Sequence, residues 1–204
     1  ELELSPKPGL VSPADPGPHR DMDTATFGRS LEALRGYFGQ VAEAGATSAS
    51  LTELRALAVE AESRMLAATG GVNTHRGAIF ALGIVCAAAG RLRGSGRVPT
   101  RVALAGEVRI LGERVRRELA PVQVSHGAAM RRRYGTGGAR EEAARGFPRL
   151  FRVALPTLEA ALGRGTGRRA AAAQCLLALV AVLPDTNLLW RGGVDGLRFA
   201  RAEA

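Results

Sequence analysis

Aromatic residues make up only 4% of this 204-residue sequence. A core must then be built mainly from Ala, Leu and Val, which suits close-packed helices better than a sandwich or barrel. Lysine is nearly missing. Lys7 is the only one among 28 basic residues, so the formal net charge of +9 is carried by arginine. Basic residues do not interleave with aromatics, and the longest basic tract is Arg131–Arg133; neither feature favours a nucleic-acid partner. The two cysteines, Cys86 and Cys175, lie inside apolar runs and are expected to be buried free thiols of a reducing compartment. The three histidines, His19, His75 and His126, match no zinc spacing. The apolar runs Gly77–Ala89 and Ala170–Leu183 fall short of the ~20 residues that span a bilayer. They read as core helices of a soluble protein, with no membrane partner. The first residues are acidic and Pro-rich rather than leader-like, and a cytoplasmic location is expected. No period-2 strand and no internal repeat is visible.

What is present is 46% hydrophobic residues, enough for a real core, in a length that suggests one domain or at most two small ones. The expectation is an all-α protein: a compact multi-helix bundle forming a single domain over residues 1–204, with polar loops at helix ends. "SPKPGLVSPADPGPH" (Ser5–His19) holds five of the ten prolines and is not helical. One helix is expected from Asp23 or Thr24 through "FGRSLEALRGYFGQVAEAG". The next opens with Ser50 and Glu53 as a capping box and carries Leu54, Leu57, Ala61 and Met65 as a stripe. A third follows "NTHR". "RLRGSGRVP" (Arg91–Pro99) reads as a basic turn. A fourth helix carries Leu104, Val108, Leu111, Val115 and Leu119 and ends at Pro121. Arg131–Leu150 reads as a long Gly-rich loop with one helical turn at Glu141–Arg145. Helices resume at Phe151–Leu162 and Ala170–Leu183, and the loop "PDTNLLWRGG" precedes a last helix, "VDGLRFARAEA".

Four polar clusters stand at element ends. In "GGVNTHRG", Asn73 or Thr74 is a natural helix N-cap. The helix start favours an anion, His75 and Arg76 add donors, and Gly70-Gly71 would let a ligand approach closely. "HRDMD" sets Asp21 and Asp23 beside His19 and Arg20; these are first-turn acids, or carboxylates for Mg²⁺ or general base work. "GGAREEAARG" holds Arg140, Glu141, Glu142 and Arg145, as an ion-pair network or a ligand loop. "PDTNLLWRGG" holds Asp185, Asn187 and Arg191, as a turn with caps or another ligand loop. Each alone is ambiguous; together, functional groups on loops over a helical scaffold suggest a ligand site. Arginine recognises phosphate with a forked donor pair. The charge therefore fits a polyanionic ligand, although codon bias toward Arg and Ala produces the same composition.

Five segments in order, "SPKPGLV", "HRDMD…TF", "GGVNTHRGAIF", "YGTGGAREEAARGFP" and "DTNLLWRGG", resemble the triphosphoribosyl-dephospho-CoA synthase family along nearly the whole chain. The resemblance implies an all-helical enzyme that joins ATP and 3′-dephospho-CoA into 2′-(5″-triphosphoribosyl)-3′-dephospho-CoA and releases adenine. The product is the precursor of the prosthetic group of malonate decarboxylase or citrate lyase, and "NTHRGAIFALG" looks more like the malonate decarboxylase branch. A Gly/Ser-rich "SPGGSADLL"-type motif is expected beyond the last helix. This sequence has none, so it is expected to lack the family's C-terminal segment.

On the implied chemistry, Asp21, Glu142 and Asp185 are candidate bases, and His75 or His19 would assist the leaving adenine. Lys7, Arg76, Arg133, Arg140 and Arg191 would hold the triphosphate. Asn73, Thr74, Tyr134 and Asn187 would contact nucleotide, and Asp21 and Asp185 would hold Mg²⁺ arriving with ATP. A homodimer is compatible with the composition. The alternative is a non-catalytic nucleotide- or CoA-binding helical protein.

Overall fold

The computed structural model describes residues 2–5, 7, 10–17, 19–119 and 126–204. The described residues are helical with no strand, an all-α protein as the scarcity of aromatics implied. The chain divides into two compact units, residues 1–107 and 108–204, with the boundary inside one helix.

Unit 1 contains α1 (Thr24–Ala33), α2 (Tyr37–Ala46), α3 (Leu51–Ala68), α4 (Arg76–Gly94) and the start of α5 (Arg101–Glu118). The single helix expected from residue 24 to 45 is in fact two. The chain turns at Gly36, whose φ of 85° lies in the left-handed region that a residue lacking Cβ enters at no steric cost. Asp23 caps α1, and Ser50 and Glu53 form the predicted capping box on α3. Leu51, Ala61 and Met65 face the core, while Leu54 and Leu57 are only half-buried.

α4 packs against α2 at backbone-to-backbone distance. A Cβ on Gly45 would overlap the Ala87 carbonyl, one on Gly90 the Ala42 carbonyl, and one on Gly94 the Ala46 carbonyl. Gly83 leaves room for the Tyr37 ring, whose hydroxyl donates to the Ile79 carbonyl at 3.0 Å.

Two expectations about α4 need correction. The helix extends through Arg91–Gly94, so that stretch is not a turn; Arg91 and Arg93 sit in the last turn, where the dipole favours cations, and Arg91 pairs with Glu107 at 2.7 Å. At 19 residues α4 is also long and apolar enough to cross a bilayer by length and composition. In unit 1 it buries Ile79, Gly83, Ala87, Ala88, Gly90 and Leu92, while Leu82 stays half-exposed.

Unit 2 holds the rest of α5, then α6 (His126–Tyr134), α7 (Gly138–Ala144), a π-helical turn (Leu150–Ala154) running into α8 (Leu155–Gly163), α9 (Arg168–Val182) and α10 (Thr186–Ala202). Pro121, read as the end of the fourth helix, lies outside the described residues; α5 itself runs to Glu118. Arg131–Leu150 is more helical than expected. Its glycines cluster at Gly135, Gly137 and Gly138, and the Ala-rich "AREEAA" that follows is a good helix former, as α7 shows. "PDTNLLWRGG" is likewise helix rather than loop: Asp185 caps α10, which bends at Gly193 (φ 61°, ψ −158°). Met130, Leu189 and Leu197 form a small core between α6 and α10, with Tyr134 packed against it. Gly112 of α5 lies against the Ala143 backbone of α7.

Both cysteines are free but only partly buried, against the expectation of full burial. The Cys175 thiol donates to the Ala154 carbonyl at 3.3 Å, and burial pushes both thiols above the ordinary range.

Candidate functional site

In unit 1 the polar clusters converge on the starts of α1 and α4. Within the Pro-rich lead-in, residues 12–15 form a turn in which the Ser12 N–H donates to the Asp15 carbonyl at 2.8 Å. The Thr24 hydroxyl ties that turn to α1 by donating to the Ser12 carbonyl at 3.3 Å. Lys7 is buried. His19 Nδ1 lies 3.6 Å from Asp21 Oδ1, and the Asp21 side chain is 62% exposed. Asp23 Oδ1 accepts the Thr26 N–H at 2.8 Å and the Thr26 hydroxyl at 2.7 Å. Those two bonds, the N–H first, hold its carboxyl below the usual range. Arg29 joins α1 to the end of α3, donating to the Ala68 carbonyl at 3.1 Å and the Thr26 hydroxyl at 3.2 Å.

The start of α4 departs from the simple cap expected. His75 occupies the N-cap position with no side-chain cap bond. Asn73 caps from further back, its Oδ1 accepting the Arg76 N–H at 3.2 Å. Thr74 is engaged elsewhere: its hydroxyl donates to Ser30 Oγ at 2.7 Å, and Ser30 Oγ lies 2.6 Å from His75 Nδ1. Ser30 is fully buried and His75 nearly so. Phe27 meets the imidazole edge-on, with centroids 4.9 Å apart, and the His75 N–H points at Met65 Sδ, 3.2 Å away. Arg76 pairs with Glu62. Gly70 and Gly71 both adopt positive φ (67° and 88°), which makes the tight turn from α3 into this cluster possible.

In unit 2 the expected residues have structural partners. The Arg140 guanidinium donates to the Val115 and Leu119 carbonyls at 2.7 and 2.5 Å, closing the C-terminal end of α5. Glu141 pairs with Arg145 at 3.0 Å, and Glu142 with Arg149. Arg149 also donates to the Val182 carbonyl at 3.2 Å, at the end of α9. Asp185 Oδ1 accepts the N–H groups of Asn187 (2.6 Å) and Leu188 (3.2 Å). Asn187 and Arg191 are exposed on α10. Arg133 stacks on the Tyr134 ring at 5.2 Å, and the Tyr134 hydroxyl faces Gly193.

Thus Thr74 and His75 are joined through Ser30, His19 stands beside Asp21, and Asn73 bonds the backbone of Arg76. Lys7, His19, Asp21, Asn73, Thr74, His75 and Arg76 belong to unit 1. Arg133, Tyr134, Arg140, Glu142, Asp185, Asn187 and Arg191 belong to unit 2. Among the described residues no group of three or more His, Cys, Asp or Glu side chains could hold a metal ion.

Ser30, Arg149 and Glu62 were not singled out from the sequence. Ser30 had a readable signal: it follows Phe27 by three residues and Thr26 by four, which puts a hydroxyl on the apolar face of α1, where it needs a partner. The partners of Arg149 and Glu62 come from other helices and leave no local signature.

A family model for ATP:dephospho-CoA triphosphoribosyl transferase matches residues 1–204. A Pectobacterium carotovorum protein named as a probable 2-(5″-triphosphoribosyl)-3′-dephosphocoenzyme-A synthase is 42% identical over 213 residues, covering 100% of this chain and 71% of the relative. A Pectobacterium atrosepticum synthase of the same name is 42% identical over 98% of this chain and 70% of its own length. An Azotobacter vinelandii relative, also named as a probable synthase, is 43% identical over 97% and 68%. No solved structure matches the chain. The protein is an all-helical enzyme of the transferase class. It belongs to the ATP:dephospho-CoA triphosphoribosyl transferase family.

Proposed function

We propose that this chain moves the 5′-triphosphoribosyl group of ATP onto the ribose 2′-hydroxyl of 3′-dephospho-CoA and releases adenine. The match of the family model along residues 1–204 carries this reading. In the reaction the C1′–N9 bond of ATP breaks and its electron pair leaves with adenine. C1′ bonds the 2′-oxygen, and the proton lost from the 2′-hydroxyl ends on the adenine.

The ribose becomes oxocarbenium-like, and a carboxylate stabilises it. Asp21 is our choice of base among Asp21, Glu142 and Asp185. It is exposed, whereas Glu142 is held by Arg149 and Asp185 caps α10. His75 hydrogen-bonds the leaving adenine, with His19 as the second candidate. Asn73, Thr74 and Arg76 stand at the same helix start, where N–H groups and the dipole favour an anion. The candidate phosphate-binding cations are Lys7 and Arg76 in unit 1 and, separately, Arg133, Arg140 and Arg191 in unit 2, where Tyr134 and Asn187 are the candidate nucleotide contacts; Arg140 would serve while closing α5.

Mg²⁺ would neutralise part of the phosphate charge. Asp21 and Asp185 each offer the hard oxygen it prefers, and since no acidic cluster surrounds either among the described residues, the cation would come with ATP. The likeness of "NTHRGAIFALG" to the malonate decarboxylase branch supports malonate decarboxylase over citrate lyase as the destination of the product. Soluble nucleotide substrates support a cytoplasmic reaction without membrane or nucleic acid, and the Ala-rich, Arg-edged surface is compatible with a homodimer.

The test is to mix the protein with ATP, Mg²⁺ and 3′-dephospho-CoA and follow adenine and the triphosphoribosylated product by chromatography and mass spectrometry. Adenine appearing only when dephospho-CoA is present is the expected result. Binding of both nucleotides without adenine would overturn it and leave a non-catalytic binding module.

A further inference from the structure

We infer that Ser30 is a positioning residue: with Thr74 it fixes the tautomer of His75, so that Nδ1 accepts and Nε2 carries the proton. The inference deepens the transferase reading and rests on it for the role of His75, but the tautomer itself is a property of the protein alone. A serine hydroxyl has one hydrogen to give and lone pairs to accept with. Thr74 Oγ1 donates to Ser30 Oγ at 2.7 Å, and among the described residues the one side-chain acceptor bonded to Ser30 that can take its own hydrogen is His75 Nδ1, 2.6 Å away; were Nδ1 protonated, Ser30 would accept twice and its buried hydrogen would lose that partner.

The hydroxyl relay therefore runs one way, from Thr74 to Ser30 to His75. Ser30 is fully buried, so water does not compete for that hydrogen. Burial and the edge-on Phe27 ring oppose a turn of the imidazole that would exchange its nitrogens. In a neutral imidazole, a nitrogen that accepts places the proton on the other.

The consequence for the reaction is specific. Nε2 is itself buried in the structure, so in the transferase reading its N–H reaches a ring nitrogen of the departing adenine once the bound nucleotide has opened the wall beside it, while the C1′–N9 electron pair moves onto the base. His75 does not take up the 2′-hydroxyl proton, which passes through the carboxylate. With the opposite tautomer, Nε2 would present a lone pair to an electron-rich leaving group and oppose its departure.

The experiment reads the tautomer directly. Protein labelled with ¹⁵N-histidine is studied without substrates by long-range ¹H–¹⁵N correlation at a pH where the ring is neutral, and His75 is identified by the signals lost in His75→Gln. Expected is a single tautomer with pyridine-type Nδ1 and pyrrole-type Nε2. A protonated Nδ1 in the unaltered protein overturns the inference.

Ser30→Ala should give mixed tautomers and lower the kcat of adenine release about 10- to 100-fold, as losses of outer-shell partners do, with KM for ATP little changed. Full kcat with an unchanged spectrum overturns it. If Ser30→Ala fails to fold by circular dichroism, Thr74→Val answers the same question by removing the first donor of the relay. Mixed tautomers are expected there, and an unchanged spectrum overturns the stated direction. An unaltered protein that shows the expected tautomer yet releases no adenine would defeat the transferase reading and leave the hydrogen-bond assignment standing.

Discussion

At the scale of single residues, Asp21 and His75 carry the chemistry proposed here, and they differ in how they are held. Asp21 is exposed beside His19, whereas His75 is buried behind Ser30 and Phe27. Asp21→Asn and His75→Ala should each lower kcat for adenine release by about 10²- to 10⁴-fold, the range for positioned proton-transfer and donor groups. Circular dichroism should remain helical; full activity in either variant would move its role to another residue. Tyr37 provides a pH probe in the same unit. Burial, and then the nearby Cys86, raise its phenol from 10.0 to about 12. Below pH 10 the phenol is protonated in folded and unfolded chains alike and its contribution is fully present. Between 10 and about 12 the unfolded chain loses the proton first, so stability falls as pH rises. Urea melts across that window should show the decline, and Tyr37→Phe should flatten it.

At the scale of elements, helix starts and glycine contacts set the architecture. The Asp23 carboxyl on α1 and the Glu53 carboxyl on α3 are both lowered, Asp23 first by the Thr26 N–H and Glu53 first by Ser50. Their stabilisation is present above the ordinary values of 3.8 and 4.5 and is lost as pH falls through the lower folded values. Acid melts of Asp23→Asn should show a smaller drop than those of the parent. Asp185→Ala should cost about 1 kcal/mol by loss of the α10 cap, measurable in urea; a much larger loss of activity than of stability would mark a chemical role as well. Gly90→Ala should destabilise by about 1–3 kcal/mol or more, because the added methyl meets the Ala42 backbone and not a side chain that can swing away. The sequence made the Ser50–Glu53 box and the helical class readable because both rest on local pattern. It misled at Gly36 and at "TNLLWRGG". In the first case a single left-handed glycine breaks an otherwise continuous pattern. In the second, a dense run of polar and Gly residues conceals a capped helix with one bend.

At the scale of the whole molecule, each unit has its own core and its own set of polar groups, and the net charge of +9 is spread over arginines, many of them spoken for. Arg76, Arg140 and Arg149 each satisfy a carboxylate or a helix end, so their number overstates the charge open to a ligand. Composition could show the arginines but not their partners, which lie on other helices; for the same reason the hydroxyl on the apolar face of α1 was readable while its partner, His75 at the start of α4, was not. Two anionic nucleotides should still feel the net field. KM for ATP is expected to rise with ionic strength, by steady-state kinetics in increasing KCl, as exposed charges are screened over about 10 Å. Fifteen residues, ~22 Å at 1.5 Å per residue, separate His75 from Gly90, where α4 is keyed into α2. Sliding or turning α4 by one residue would bring a side chain onto the Ala42 carbonyl, so the far end of the rod acts as a detent that indexes the imidazole. Variants screened for faulty adenine release should therefore turn up at Gly90 and Gly94 as well as at the ring, and no side-chain change on α2 should restore them, because the obstruction is backbone.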